Sequence, residues 1–352
     1  MQVQENIPLA PLTTFKIGGP ARFFVEAKSI AEVEDAVRLA RTRDLPLFVL
    51  GGGSNLVVAD AGWPGLALKV GITGIDRRAN DEEEKVIFDV GAGESWDGFV
   101  SHAVDAHCAG VECLSGIPGN VGGTPVQNVG AYGQEVSQTI ESVQVFDLKD
   151  NQVRELCNEA CGFSYRTSIF NTSERGRFII LRVSYALTPG GESHIEYADL
   201  KRHFEGRKTN PNLAETREAV RRIRARKGML IVEGDPDCRS AGSFFKNPVL
   251  SEQQHEDLRN RAEAKGLMIP SYPALERSHK VSAAWLVEHS EFLRGYACGH
   301  VGISSKHALA IVNRGEATAS EVLALKDQIQ QRVEEIWGVR LETEPVFVNI
   351  RD

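Results

Sequence analysis

Two glycine-rich stretches carry the strongest chemical signal in the chain: Gly51-Gly52-Gly53-Ser54-Asn55, and a longer run from Gly116 to Gly133. Runs of glycine leave backbone N–H groups uncovered and let them approach a diphosphate closely, as in anion nests. One such loop reads equally well as a turn. Two of them, rich in Ser, Asn and Thr, point to a cofactor that carries a pyrophosphate. The Gly-x-Gly-x-x-Gly dinucleotide fingerprint is not met, because Leu56 stands third after Gly51 and Gly53 and the residues that follow are not helical. Gly91 and Gly93 fail likewise, with Trp96 in the third place, and no Gly-x-x-x-x-Gly-Lys-Ser/Thr loop exists. Neither Cys-x-x-Cys nor His-Glu-x-x-His occurs, so no zinc site is expected. The six cysteines are too sparse for a disulfide framework; Cys157 and Cys161 could share a helix face as packing residues.

The elements that must hold these loops follow from periodicity. Residues 21–27 read as a strand and a helix capped at Ser29 and Glu32 follows, with Val33, Ala36, Val37 and Ala40 inward. A short apolar strand, 45–50, runs straight into the first glycine loop. Further strands are expected at 86–93 and over 143–187, with the acidic run 81–84 as a solvated hairpin tip. Ser95 opens a helix that buries Phe99, Ala103 and Val104. Helices are expected near 251–265, over 282–289, and from a cap at Thr318/Glu321, the last with Val322, Leu325, Ile329, Val333 and Ile336 inward. Gly338 stops it and RLETEPVFV closes the chain as a strand. Between 201 and 227 ten basic residues face three acidic ones, a local excess that suits a diphosphate-bearing ligand.

Composition bounds the rest. The 352 residues are 42% hydrophobic and 25% charged, with a net charge of −8, which disfavours nucleic acid as a partner and excludes wholesale disorder. No apolar run is long enough to span a membrane and no signal peptide is recognised at the start, so a cytoplasmic protein without a membrane partner is expected.

Six motifs in order, Thr14–Gly19, Leu50–Leu56, Gly116–Gly123, Asn128–Gly133, Tyr165–Phe170 and Ala241–Pro248, resemble those of the UDP-N-acetylenolpyruvoylglucosamine reductases, within the FAD-linked oxidase superfamily. The resemblance spans nearly the whole chain, and its last two motifs are specific to this reductase. It implies an α+β protein with a two-subdomain PCMH-type FAD-binding fold (1–72 and 73–226), a substrate-binding domain (227–330) and a C-terminal segment (331–352) returning to the active site. It implies reduction of UDP-N-acetylglucosamine enolpyruvate to UDP-N-acetylmuramate with NADPH, through non-covalent FAD, by a monomer. The oxidases that bind flavin covalently carry a histidine in the loop corresponding to 51–55, where this chain has Ser54 and Asn55.

Site residues follow from the same resemblance. FAD would be held by Gly51, Gly52, Gly53, Ser54, Asn55 and Leu56, by Gly116, Ile117, Pro118, Gly119, Val121, Gly122 and Gly123, and by Asn128, Gly130, Ala131 and Tyr132. Hydride addition to the enol ether leaves a carbanion delocalised into the adjacent carboxylate, which calls for positive charge, hydrogen bonds and a proton donor. Ser243 would be the donor, Arg166 the grip on the carboxylate, and Glu344 the aid to the enolate, with Glu342 a competitor two residues away. Tyr197, Lys227 and Asn247 would bind substrate. The chain departs from the pattern at Val346, where relatives commonly carry an arginine. Two rival readings stay open: an oxidase of an alcohol or lactone on the same fold, and a nucleotide-sugar binder without catalysis.

Overall fold

A computed structural model of the chain describes residues 1–80, 84–273 and 277–350, so Asp81, Glu82 and Glu83 of the expected hairpin tip lie outside the described residues. The chain divides into two compact units. One comprises residues 1–7, 21–53 and 63–226; the other comprises residues 8–20, 54–62 and 227–352.

In the first unit the expected βαβ opening is present: strand Pro20–Ala27, helix α1 (Ile30–Thr42), then strand Leu47–Leu50. The Ser29 hydroxyl accepts the Glu32 N–H at 3.2 Å, which fixes where α1 starts, and the four expected apolar residues are its buried face. Pro20–Ala27, Trp63–Val70 and Leu47–Leu50 are mutually parallel neighbours, with Gln4–Pro8 at the edge. A larger antiparallel sheet runs in the order Gln152–Cys157, Ile140–Asp147, Phe178–Pro189, Lys85–Gly91, Ile75–Asn80. Helix α2 (Trp96–Asp105), capped by Ser95, packs Phe99, Val100, Ala103 and Val104 into one core shared with both sheets. Two further helices, α3 (Ala198–His203) and α4 (Leu213–Arg226), complete the unit; Ala219, Val220 and Ile223 of α4 pack with Leu200, Cys113 and Tyr132. Cys157 and Cys161 do not share a helix face: Cys157 ends an exposed strand, whereas Cys161 is buried in the short turn after it.

The second unit contains α5 (Glu252–Glu263), α6 (Ala283–Glu288) and α7 (Ala319–Trp337) with short strands between them. Thr318 and Glu321 cap α7 reciprocally, and Gly338, at φ 70°, ends it in the left-handed region. The buried stripe steps by four from Val333 to Trp337, so Ile336 is only partly covered. The closing strand is shorter than expected. Only Val346–Val348 is a strand, parallel to Leu56–Val58, while Glu342–Glu344 pairs across to residues 244–246. No described helix is long and apolar enough to cross a membrane.

Candidate active site

The two glycine loops of the first unit interlock backbone to backbone. A Cβ on Gly52 would lie 2.5 Å from Gly119 Cα, so no larger residue fits there while the loops keep this approach. By contrast, nothing lies within 4 Å of where a Cβ would stand on Gly51 or Gly123. The loops thus form a cradle of bare backbone with open space at Gly51 and Gly123, which fits the diphosphate of a dinucleotide cofactor. Val121 and Gly122 donate to Glu94 O and Ala92 O, both at 2.9 Å, and tie the second loop to the end of the larger sheet. Ile117 packs partly against the core beside Pro118.

Farther along the same loop, Gly130 and Ala131 pair with Glu135 and Gln134 around a two-residue turn at Tyr132 and Gly133, whose φ values of 50° and 90° make it the mirror-image type that matches strand twist. The Asn128 side chain is committed within the loop. Its amide donates to Glu135 and to Ser164 O, and its oxygen accepts the Ser137 N–H at 3.1 Å. Asn128 therefore shapes the loop through its side chain. The expected Tyr197 is exposed and stands edge-on to Tyr132, with ring centroids 5.3 Å apart.

Arg166 sits at the tip of a tight hairpin in which Ser164 and Thr167 exchange both backbone hydrogen bonds. Its φ of 56° is left-handed, and its Nη2 donates to Gly130 O at 2.8 Å, so the guanidinium is held against the second glycine loop.

The basic stretch serves a purpose that its charge alone did not reveal. Asp97, in the first turn of α2, accepts the Gly116 N–H at 2.6 Å and both Nη groups of Arg217, at 2.6 and 3.1 Å, with Arg221 on its other oxygen. Arg224 is buried and donates from Nε to Gly116 O at 3.1 Å. Burial pulls its guanidinium pKa down, opposed by Tyr132 and Asp97. Arg207 and Arg222 pair with Glu215 and Glu218. Three arginines of this stretch therefore have a partner inside the unit: Arg217 and Arg221 on Asp97 of α2, and Arg224 on the glycine loop at Gly116. The sequence offered no sign of this, because Asp97 lies 120 residues from Arg217.

In the second unit, the six-residue stretch Gly51–Leu56 continues after Gly53 into an anchored segment. Ser54 O and Ser240 O both accept the Thr14 hydroxyl, at 3.3 and 2.7 Å. Asn55 donates from its amide to Glu344 O at 3.2 Å, and Asn55 O accepts the Val346 N–H at 2.9 Å. Val346 is thus a strand residue beside Leu56. Glu344 donates its N–H to Phe244 O at 2.9 Å, which places its backbone across from the residue next to Ser243. The competitor Glu342 is 79% exposed and pairs with Lys246 at 3.5 Å, the behaviour of a rim ion pair. Asn247 holds the start of α6 by accepting the Ala283 N–H at 2.9 Å, and Lys227 follows directly on α4. Ser243 itself is partly buried between Gly242 and the fully buried Phe244, and its hydroxyl lies 3.1 Å from His307 Nε2. His307 was not expected: a lone histidine in Ser304-Ser305-Lys306-His307 has no motif to mark it.

Residues 235–348 match the model for the UDP-N-acetylenolpyruvoylglucosamine reductase C-terminal domain, and residues 21–156 match that of an FAD binding domain. The UDP-N-acetylenolpyruvoylglucosamine reductase of Thermobifida fusca is 44% identical over 351 residues, covering 98% of each chain. That of Streptomyces avermitilis is 43% identical over 99% of this chain and 96% of its own. The chain belongs to the UDP-N-acetylenolpyruvoylglucosamine reductase family. The crystal structure of this reductase from Thermus caldophilus superposes with a TM-score of 0.67 at 26% identity and covers 99% of both chains. The chain is accordingly an FAD-dependent oxidoreductase of peptidoglycan precursor synthesis, with a PCMH-type FAD-binding region joined to the reductase family's C-terminal domain in an α+β fold.

Proposed function

We propose that the chain reduces UDP-N-acetylglucosamine enolpyruvate to UDP-N-acetylmuramate at the expense of NADPH, as a cytoplasmic monomer acting on small molecules. FAD, when bound, supplies the carrier that takes hydride from the nicotinamide and passes it to the β carbon of the enol ether. The residues Gly51–Gly53 and Gly116–Gly123 would hold its diphosphate, with Ser54, Asn55, Leu56 and the Asn128–Tyr132 segment completing the cofactor set. Residues 227–330 would form the substrate-binding domain, and Lys227, Asn247 and Tyr197 would bind substrate.

The chemistry falls to three side chains. Arg166 offers a permanent positive charge with several donors, suited to the substrate carboxylate as it takes up negative charge. Glu344 would steady the enolate, and Ser243 would give its hydroxyl proton to the α carbon, a base strong enough to take it. One observation carries this reading: in a chain of this family, the backbone of Glu344 is hydrogen-bonded to Phe244 beside Ser243, while Glu342 turns to solvent.

The experiment is an anaerobic visible spectrum with NADPH added, then the enolpyruvate. A flavin band that bleaches and then returns with the enolpyruvate is the expected result. A band that returns only with oxygen would favour an oxidase, and a chain that never takes up FAD would end this reading. Sedimentation velocity checks the monomer.

A further inference from the structure

We infer that His307 is the proton source behind Ser243: an imidazolium whose Nε2–H holds the serine oxygen during the reaction and returns a proton to it afterwards. This rests on Ser243 as the proton donor proposed above, and extends it to a residue outside the six motifs quoted from the sequence.

The geometry is built. Ser243 Oγ and His307 Nε2 are 3.1 Å apart, a hydrogen-bond distance. The turn that carries the imidazole is fixed from several sides. Ser304 N–H donates to Ala310 O at 2.8 Å and closes the turn, and the Ser304 hydroxyl accepts the His307 N–H at 3.3 Å. Ser305 donates from N and Oγ to Asp237, at 3.1 and 2.6 Å, and the Lys306 ammonium pairs with Asp235. The serine segment is locked to the same turn, because Phe244 donates its N–H to Leu309 O at 2.7 Å. With both backbones held, the imidazole and the hydroxyl meet without rearrangement.

The direction of that hydrogen bond decides what Ser243 can do. A neutral imidazole accepting at Nε2 would draw the serine O–H towards itself and away from the substrate carbon. An imidazolium donates at Nε2 instead, accepted by the serine oxygen, and leaves the O–H proton to be aimed elsewhere. The step then balances. The Ser243 O–H bond breaks as a C–H bond forms at the α carbon, and the electron pair stays on Oγ. That alkoxide takes the Nε2 proton, leaving a neutral imidazole, which recovers a proton from water. Per turnover one hydride comes from the nicotinamide and one proton from solvent. The charged groups on the elements packed around this turn are Asp235 and Asp237 beneath it, Lys306 within it, Lys227 beside Gly228, which lies against Lys306, and Glu344 with the Lys246–Glu342 pair on the strands that hold Ser243.

The test uses the FAD-loaded full chain, reduced anaerobically with NADPH and then mixed with UDP-N-acetylglucosamine enolpyruvate. His307→Ala should bleach at the wild-type rate but regain colour about 10²-fold more slowly or worse. Wild type should regain colour more slowly as pH rises and the imidazolium is lost; His307→Gln, which keeps a donor in place but cannot titrate, should lose that dependence. Nitrogen NMR of the His307 ring, which needs no turnover, should report a protonated Nε2 whose titration shifts in Ser243→Ala. If His307→Ala regains colour as fast as wild type, or slows bleaching equally, or if the ring titration ignores Ser243→Ala, the relay is wrong. A wild-type chain that bleaches yet never responds to the enolpyruvate would instead overturn the reductase reading, and the relay with it.

Discussion

Two carboxylates two residues apart illustrate how burial separates roles that spacing cannot. Glu342 is largely in solvent with Lys246 at its edge, and exposed pairs of this kind contribute about 0–1 kcal/mol. Glu344 is partly buried on a segment hydrogen-bonded to both Phe244 and Asn55. Glu342→Gln should therefore leave turnover within about twofold, and Glu344→Gln should lower it by roughly 10² or more, the range for losing a group that acts only in the transition state. Steady-state rates of the two variants, with flavin content checked by absorbance, decide it; equal losses would remove Glu344 from its role. Ser243, Arg166 and Glu344 are proposed from the sequence because the resemblance marks each of them. His307 carries no such mark, since its partner lies 64 residues away and only folding brings hydroxyl and imidazole together.

The glycine loop and α4 form one mechanical element. Burial raises the Asp97 pKa, but the Arg217 bond, the Gly116 N–H and the charges of Arg217 and Arg221 outweigh it, so the carboxyl is held below its ordinary value. A group depressed in the folded state contributes stability that is present above its unfolded pKa and is lost as pH falls through its folded one. Anchorage of the loop should thus be steady from neutrality down to about pH 4 and decline below it. Asp97→Asn should cost about 1–3 kcal/mol at pH 7 and flatten that acid decline. Release of FAD followed by its fluorescence across pH reads both effects, and identical acid profiles for the two proteins would show that Asp97 does not set them. The glycines themselves separate in the same way. Gly52→Ala would drive a methyl into the backbone of Gly119, at a cost of about 1–3 kcal/mol in melting stability without any cofactor. Gly51→Ala meets nothing in the protein, so the cofactor-free chain should melt within about 0.5 kcal/mol of wild type. It should still bind FAD at least about tenfold more weakly, if the diphosphate occupies that space. Unchanged FAD affinity in Gly51→Ala would place the cofactor elsewhere. Composition revealed the loops but not what braces them, because a helix rich in arginine reads the same whether it faces solvent, a ligand or its own fold.

At the scale of the whole chain, the units are not contiguous in sequence, and this was the least legible feature. The resemblance implies 1–72 as one subdomain, and the βαβ opening reads the same way, yet 8–20 and 54–62 belong with 227–352. Periodicity reports which face of an element is apolar; it does not say which core that face enters. Phe15, Ile17 and Val57 are each at most 2% exposed, and they pack with Phe244, Phe245, Leu325 and Ile329. Leu56–Val58 is also the strand that pairs with Val346–Val348. A fragment of residues 227–352 alone would lose all three side chains and that pairing. Each large core deletion costs about 2–5 kcal/mol, so together they rival the roughly 5–15 kcal/mol that holds a typical domain. The fragment should therefore show no cooperative melt by circular dichroism and a collapsed amide spectrum by NMR, although it holds the entire matched C-terminal domain. A well-dispersed spectrum from that fragment would mean the N-terminal segments merely decorate its core. The expected failure would mean that residues 8–20 and 54–62 are structural members of the unit bearing Ser243 and Glu344, so that residues 227–352 cannot form this unit without them.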